Sequence, residues 1–414
     1  MPARIAILGA SGAVGSMLAA QLLRENLLEP DDRVLLVGHG KSSSERRLLA
    51  VKMDLLDAFD DRRVHIDVVP DITDFEADIV VVAAGATASA DAQDRRDLAK
   101  ANLPIFWQIA DNCVTRLPDA IFIVISNPVE LAVQVLSQKT DRHRVIGMGA
   151  QQDSLRFARA VANDLGISRY YVRASVLGEH GLSMVPLWES VELLTGSADH
   201  QDRLAVLRAK ALETPLAVRA SELMREVSRL LELGLHAEAY QACCRALPDA
   251  RIMVEPLITV RGMHSTPNAT ANATLQLIDA VISVDRRRLH GQVMLEGEAF
   301  GIHGVCGFPI MTDRNGWHLW DLSYLEGPAR QAVMSSAASV RAFLSELGVA
   351  CDGGRPAGPW QGKSHRRLMI SEHRARDGRF EEVDDPGSLR GAASFARTGG
   401  PGTAALDATD AFSQ

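Results

Sequence analysis

Aromatic residues make up only 5% of this 414-residue chain, and its five cysteines include no CxxC pair. An odd cysteine count (113, 243, 244, 306 and 351) leaves no complete disulfide framework and no cysteine-based zinc site. It suits a reducing compartment, so a cytoplasmic location and no metal are expected. Positive charge is not in excess either: 44 Lys and Arg stand against 52 Asp and Glu, a net charge of −8. That balance argues against a general nucleic-acid binder. The basic clusters Arg46-Arg47, Arg62-Arg63 and Arg286-Arg287-Arg288 read as solvated surface, since acidic residues stand near most of them. No apolar run reaches the roughly 20 residues that span a bilayer, so no membrane partner is expected. The first residues, Met1 to Leu8, run straight into a strand pattern and do not read as a signal peptide.

Hydrophobic residues are plentiful, at 47%, and the length allows roughly two or three domains. Up to about residue 150, apolar runs alternate with amphipathic stretches. Ile5–Leu8, Arg33–Val37, Val64–Val69, Ile79–Ala83 and Ile121–Ile125 read as strands, several apolar on consecutive positions as in parallel strands buried on both faces. Ala13–Glu25 and Asp94–Ala110 read as helices between them. The expected fold class is α/β, a doubly wound parallel sheet over residues 1–150 followed by an α+β substrate and catalytic domain over 151–347. In that second part Ser154–Leu165, most of His200–Leu247, Ala271–Val281 and Gln331–Leu347 read as helices. Val293–Phe300 and Gly304–Thr312 read as strands, with a turn at Asp313–Gly316. From 348 to 414, Gly, Pro, Ala, Ser and Arg dominate without apolar periodicity, and a disordered tail is expected.

Gly9, Gly12 and Gly15 follow the first strand and open the first helix, with Ser11, Ala13 and Val14 between them. Glycines let the backbone turn tightly beside a pyrophosphate, which then faces the N–H groups of the helix N-terminus. The second strand in such a fold usually ends in a carboxylate for the adenosine ribose. Here it ends in Gly38-His39-Gly40-Lys41-Ser42-Ser43-Ser44. Lys41 and Ser42 suit a 2′-phosphate, which leans the expectation towards NADP over NAD. The alternative is a flexible polar loop that tolerates NAD without a ribose clamp.

Gly178-Glu179-His180-Gly181 follows the apolar run Val172–Leu177. Histidine supplies a general acid/base near neutral pH, and Asp153 is a carboxylate that can orient it. With Met53-Asp54-Leu55, Ala84-Gly85-Ala86, Arg95-Arg96-Asp97-Leu98, Ser126-Asn127-Pro128 and Asp153-Ser154-Leu155-Arg156-Phe157, the ordered set resembles the lactate/malate dehydrogenase family over roughly residues 4–347. Gly307-Phe308-Pro309-Ile310 and the Arg-x-Asp-Leu segment look most like its cytosolic malate dehydrogenase type.

The resemblance implies a Rossmann-type dinucleotide domain and reversible hydride transfer between a nicotinamide cofactor and a small-molecule 2-keto or 2-hydroxy acid. His180 is then the acid/base paired with Asp153. Arg156 holds the substrate carboxylate, and Arg95 polarises the carbonyl. Asn127, Ser265 and Thr266 contact substrate, and Ala84, Gly85, Asn127 and Gly38 contact cofactor. By itself, Asn127-Pro128 also reads as a helix cap. A homodimer is expected. Two departures bear on substrate. The stretch Ala86–Asp94, where malate dehydrogenases carry a further arginine, has none here, and the span from His180 to Ser265 is longer than usual. A true malate dehydrogenase, with Arg96 or Arg261 reading the distal carboxylate, is one alternative. A non-catalytic dinucleotide-binding protein is another.

Overall fold

Successive apolar residues place both faces of the first strands in the core. The computed structural model describes residues 2–86, 95–263, 265–283 and 286–350. Six parallel strands, β1 (Arg4–Leu8), β2 (Arg33–Val37), β3 (His65–Val69), β4 (Ile79–Val82), β5 (Ile121–Val124) and β6 (Val145–Gly147), lie in the order β3-β2-β1-β4-β5-β6. Helices α1 (Ala13–Arg24), α2 (Ser42–Phe59), α3 (Arg95–Asn112) and α4 (Val129–Leu136) connect them. The pleat sorts the side chains: Ile5 and Ile7 pack with Leu18 and Leu22 of α1. Ala6 and Leu8 pack on the other face with Phe106 of α3 and Leu131 of α4. This doubly wound arrangement puts the β1–α1, β2–α2, β4–α3 and β5–α4 connections at one end of the sheet, where such folds bind ligands.

The sheet continues antiparallel through α5 (Gly149–Leu165), β7 (Val172–Gly178), β8 (Met184–Leu193), β9 (Leu289–Glu296), β10 (His303–Asp313) and β11 (Gly316–Leu319). Its joins are narrow: β6 meets β9 at Gly147 and Gln292, and β10 meets β7 at Gly307 and Gly178. Helices α6 (Ala198–Glu213), α7 (Leu216–Glu232), α8 (His236–Arg245), α9 (Pro248–Met263), α10 (Pro267–Ser283) and α11 (Gly327–Glu346) complete the described residues. The long segment after β8 is thus a helical subassembly. α7, α8 and α9 share a core around Val227, Ala239, Cys243 and Val254. Arg219 of α7 grips Asp249 of α9 through two hydrogen bonds (2.6 and 2.7 Å).

Three expectations shift. The strand expected at Val293–Phe300 is β9, Leu289–Glu296, because Gly297 (φ 100°) turns the chain. The polar stretch after Gly38 is not a flexible loop: α2 begins at Ser42, with Leu48 and Leu55 buried two turns apart as its inward stripe. α4 starts at Val129 with Pro128 in the cap position, so Asn127 is not the cap. The loop 87–94 and the tail from residue 351 on lie outside the described residues. No described helix is long and apolar enough to cross a membrane. Among the described residues, no group of three or more His, Cys, Asp or Glu side chains gathers as a metal site.

Candidate active site

Two turns bring the acid/base group into place. β7 ends at Gly178, and Glu179 and His180 follow at the start of the next loop. α5 begins at Gly149, whose missing side chain leaves the space that the His180 ring fills: a Cβ there would collide with the imidazole. Asp153 lies one turn along α5 and is 1% exposed. Its Oδ2 stands 2.6 Å from His180 Nδ1, and its Oδ1 accepts a hydrogen bond from Arg156 Nη1 (3.0 Å). One buried carboxylate thus holds an imidazole with one oxygen and a guanidinium with the other.

The electrostatics follow from that placement. Burial alone would lower His180, but Asp153, by charge and hydrogen bond, and then Glu130 outweigh it and hold the imidazole above its ordinary value. Burial alone would raise Asp153, yet His180 and Arg156 hold it below the usual carboxylate range. The arrangement favours imidazolium beside carboxylate, the charge state required of a proton donor.

Glu130 was not singled out in the sequence. It is fully buried in α4, and its Oε1 accepts from the His180 backbone N–H (2.6 Å). Its Oε2 accepts from Arg95 Nη2 (2.8 Å). Arg95 Nη1 pairs with Glu179, and its guanidinium lies 4.9 Å from the Phe343 ring centroid. Glu179 also donates its N–H to Ser336 Oγ of α11 (2.9 Å). Arg95 is therefore joined to the histidine loop through two carboxylates, which fix the loop's backbone. A place at a substrate carbonyl requires those pairs to open.

Thr266 sits beside the same helix: Gln152 Nε2 of α5 donates to its Oγ1 (3.0 Å). Arg156, Gln152, Thr259, Met263, Thr266 and Asn272 are among the residues lining a cavity of about 390 Å³ between α5, α9 and the start of α10. Arg159 and Arg169 also line it, and Arg159 pairs with Glu255. Ser265, half-buried, precedes this wall but does not line the cavity. Of the two arginines weighed for a distal carboxylate, Arg96 pairs with Glu346 (3.0 Å), and Arg261 lies exposed near the end of α9.

At the same end of the parallel strands, the β1–α1 turn is tight. A Cβ on Gly9 would lie 2.8 Å from the Ala83 carbonyl oxygen, and one on Gly15 would strike Gly9. Gly12 caps α1 with no side-chain hydrogen bond, so no described side chain takes the first-turn N–H groups around Ala13 and Val14. Such a bare helix start behind a glycine turn fits a pyrophosphate. Ser11 lies in this turn. Asn102 of α3, also missed in the sequence, ties the neighbouring loops together. Its Oδ1 accepts from Ala86 N (2.6 Å), and its Nδ2 donates to the Asn127 carbonyl (2.7 Å). Ser126 Oγ holds the Ala84 carbonyl (2.7 Å), and Gly85 leaves room for Asn102. Asn127 itself is exposed at this edge.

The family model described as lactate/malate dehydrogenase, NAD binding domain, matches residues 3–147. Over that stretch the chain is similar to the lactate/malate dehydrogenase family. It is 27% identical over 321 residues to the L-2-hydroxycarboxylate dehydrogenase (NAD(P)(+)) of Methanocaldococcus jannaschii, covering 76% of this chain and 89% of that one. It is 27% identical over 318 residues to the malate dehydrogenase of a Nitratiruptor species, covering 76% and 86%. The minor L-lactate dehydrogenase of Enterococcus mundtii superposes with a TM-score of 0.63 at 22% identity, over 84% of this chain and 98% of that one, which speaks for the shared fold.

Proposed function

We propose that this chain is an NAD(P)-dependent oxidoreductase that interconverts a 2-keto acid and a 2-hydroxy acid, with His180 as the acid/base. The observation that carries the reading is the chain of contacts from His180 through Asp153 to Arg156, in a chain similar to this family. Residues 1–150 form the dinucleotide-binding part and 151–347 the substrate part. The nicotinamide cofactor, when bound, supplies or accepts the hydride.

The protein does the rest. Arg156 presents its guanidinium beside the cavity for the substrate carboxylate, the group best suited to two parallel hydrogen bonds. His180 Nδ1 is engaged by Asp153, which leaves Nε2 to give a proton to the keto oxygen in reduction and take it back in oxidation. Asp153 keeps the ring in that tautomer. Asn127 stands on the cofactor side of the substrate, with Thr266 in the cavity wall and Ser265 just before it. Arg95 aids the carbonyl only once its pairs with Glu130 and Glu179 open; until then it positions the histidine loop.

The substrate is a 2-keto acid larger than the smallest members of the class, with a neutral distal group. The cavity beside Arg156 supports the size, and the absence of arginine from Ala86–Asp94 supports the neutral end. A buried carboxylate with no paired cation loses its water without compensation. Should a dicarboxylate prove the better substrate, Arg159 and Arg169 in the cavity wall are the cations to mutate first. At the β2 end, exposed Lys41 and Ser42 suit a 2′-phosphate, while the nearby Asp71 suits free ribose hydroxyls. The expected working form is a cytoplasmic homodimer.

The test is oxidation of NADH and NADPH with a panel of 2-keto acids of increasing size, in wild type and His180→Ala. The reading predicts turnover with at least one keto acid, lost in the variant. Absence of turnover with every acid, or equal turnover in the variant, overturns it.

A further inference from the structure

β2 ends without a carboxylate because it has no room for one. A Cβ on Gly38 would lie 2.8 Å from the Pro70 carbonyl oxygen and 3.1 Å from both Leu48 Cδ1 and Ser44 Oγ. The first contact is with backbone, so the strand tip must shift before any side chain fits. The neighbouring strand supplies what β2 cannot. Beyond the last paired residues of β2 and β3, Gly38 N–H donates to the Val69 carbonyl and Gly40 N–H to the Pro70 carbonyl, both at 2.8 Å. This extended ladder lays Asp71 against Gly40. A Cβ on Gly40 would lie 2.8 Å from Asp71 Oδ2, and the residue sits at φ +79°, a conformation that favours glycine.

The carboxylate is fixed in place on one side only. Asp71 Oδ1 accepts from both the N–H and the hydroxyl of Thr73, each at 3.0 Å. Oδ2 accepts no hydrogen bond among the described residues, and no described cation pairs with it. The group is half-buried at the ligand-binding end of the parallel strands.

We infer that Asp71, reaching over from the β3 exit, is the acceptor for the adenosine ribose hydroxyls, and that it biases the enzyme to NAD(H) over NADP(H). The inference rests on the dinucleotide reading above. A carboxylate accepts hydrogen bonds from free 2′- and 3′-hydroxyls and repels a 2′-phosphate, so one group both attracts one cofactor and rejects the other. Lys41 and Ser42, exposed at the start of α2, are the competing groups.

The experiment is direct titration of the full chain with NADH and with NADPH, read by fluorescence or calorimetry without substrate. It is run on wild type, Asp71→Asn, Asp71→Ala and Lys41→Ala, with thermal melts to verify folding. The expected result is tighter binding of NADH by wild type. Asp71→Asn and Asp71→Ala should lose roughly tenfold or more of NADH affinity, the scale of a hydrogen bond to a charged group, while NADPH binds no worse. Tighter NADPH binding by wild type, or unchanged NADH affinity in folded Asp71 variants, overturns the inference and leaves the dinucleotide reading standing. A ratio that moves with Lys41→Ala and not with Asp71 also overturns it. No binding of either dinucleotide overturns the functional reading itself.

Discussion

The seam between α5 and β7 and the tips of β2 and β3 are built in opposite ways. At the seam, charged groups are buried and each answers another: Asp153 is 1% exposed and engages both His180 and Arg156. At the tips, the polar groups are exposed or half-buried, and Oδ2 of Asp71 has no partner among the described residues. A buried charge must be paired to persist, so the seam has one arrangement, set by the fold. An exposed tip tolerates several side-chain sets, so it is where specificity can vary while the chemistry stays. On the function proposed above, the seam governs whether a hydride can move, and the tips govern from which dinucleotide.

The sharpest way to break this comparison is at the seam. His180→Ala should lower kcat by roughly 10²–10⁴, the range of general acid–base catalysis, and leave dinucleotide affinity nearly unchanged. Asp153→Asn should lower kcat as well, since the amide cannot hold the same tautomer or stabilise imidazolium. Steady-state kinetics beside a binding titration checks both. If turnover survives in folded His180→Ala, the seam is structural and the contrast is lost.

The next largest effect expected is a change of substrate ratio. Ser89→Arg, in the segment outside the described residues, should raise kcat/KM for oxaloacetate against the best neutral keto acid. Wild type that already prefers oxaloacetate would place the second cation elsewhere, with Arg159 and Arg169 at hand in the cavity wall.

How much of this stood in the sequence depends on distance along the chain. The parallel strands were legible because Ile5 to Leu8 and Ile79 to Val82 are apolar at every position. Asp153 and Arg156 were legible because one helical turn joins them. Glu130 was visible only as the residue after Pro128-Val129; its grip on the His180 backbone crosses from α4 to the β7 exit. Asp71 was passed over because the acid was sought on β2, and only the β2–β3 ladder brings it beside Gly40. α2 was hidden by its start: three serines after a glycine pair look like loop, and Leu48 and Leu55 lie further on. Contacts between distant segments carry no local signature.

A second pair of sites sharpens the contrast through pH. His290 is buried in β9, with Nε2 2.9 Å from Ser175 Oγ and Nδ1 3.2 Å from Gln151 Oε1, neither of them a carboxylate. Burial, with Arg288 as a smaller cause, pushes it down to about 3. Its unfolded value is about 6.5. As pH falls from about 6.5 towards 3, the unfolded chain takes up this proton and the folded one does not, so stability declines across that window. His180 has the opposite sign: its folded value is raised, so its contribution is fully present below the unfolded value and is lost as pH rises through the folded one. Chemical denaturation at a series of pH values should give His290→Gln a flatter acid limb than wild type. An unchanged limb would mean that His290 is not held neutral.

The smallest effect expected is at Glu130, beside His180. Its carboxylate contributes to raising His180 after Asp153 does, and it holds the His180 backbone N–H. Glu130→Gln keeps a side-chain oxygen for that hydrogen bond and removes the charge. Keto-acid reduction requires protonated His180, so its rate falls as pH rises through the histidine's value; without Glu130 that fall should begin at lower pH. At low pH, where the ring is charged in both proteins, kcat should differ by less than about tenfold, because Asp153 remains as the main partner. A merely structural role would lower kcat at every pH and leave the profile where it was. A profile that moves to lower pH marks Glu130 as a positioning residue acting through His180; an unmoved one confines it to holding Arg95 and the loop.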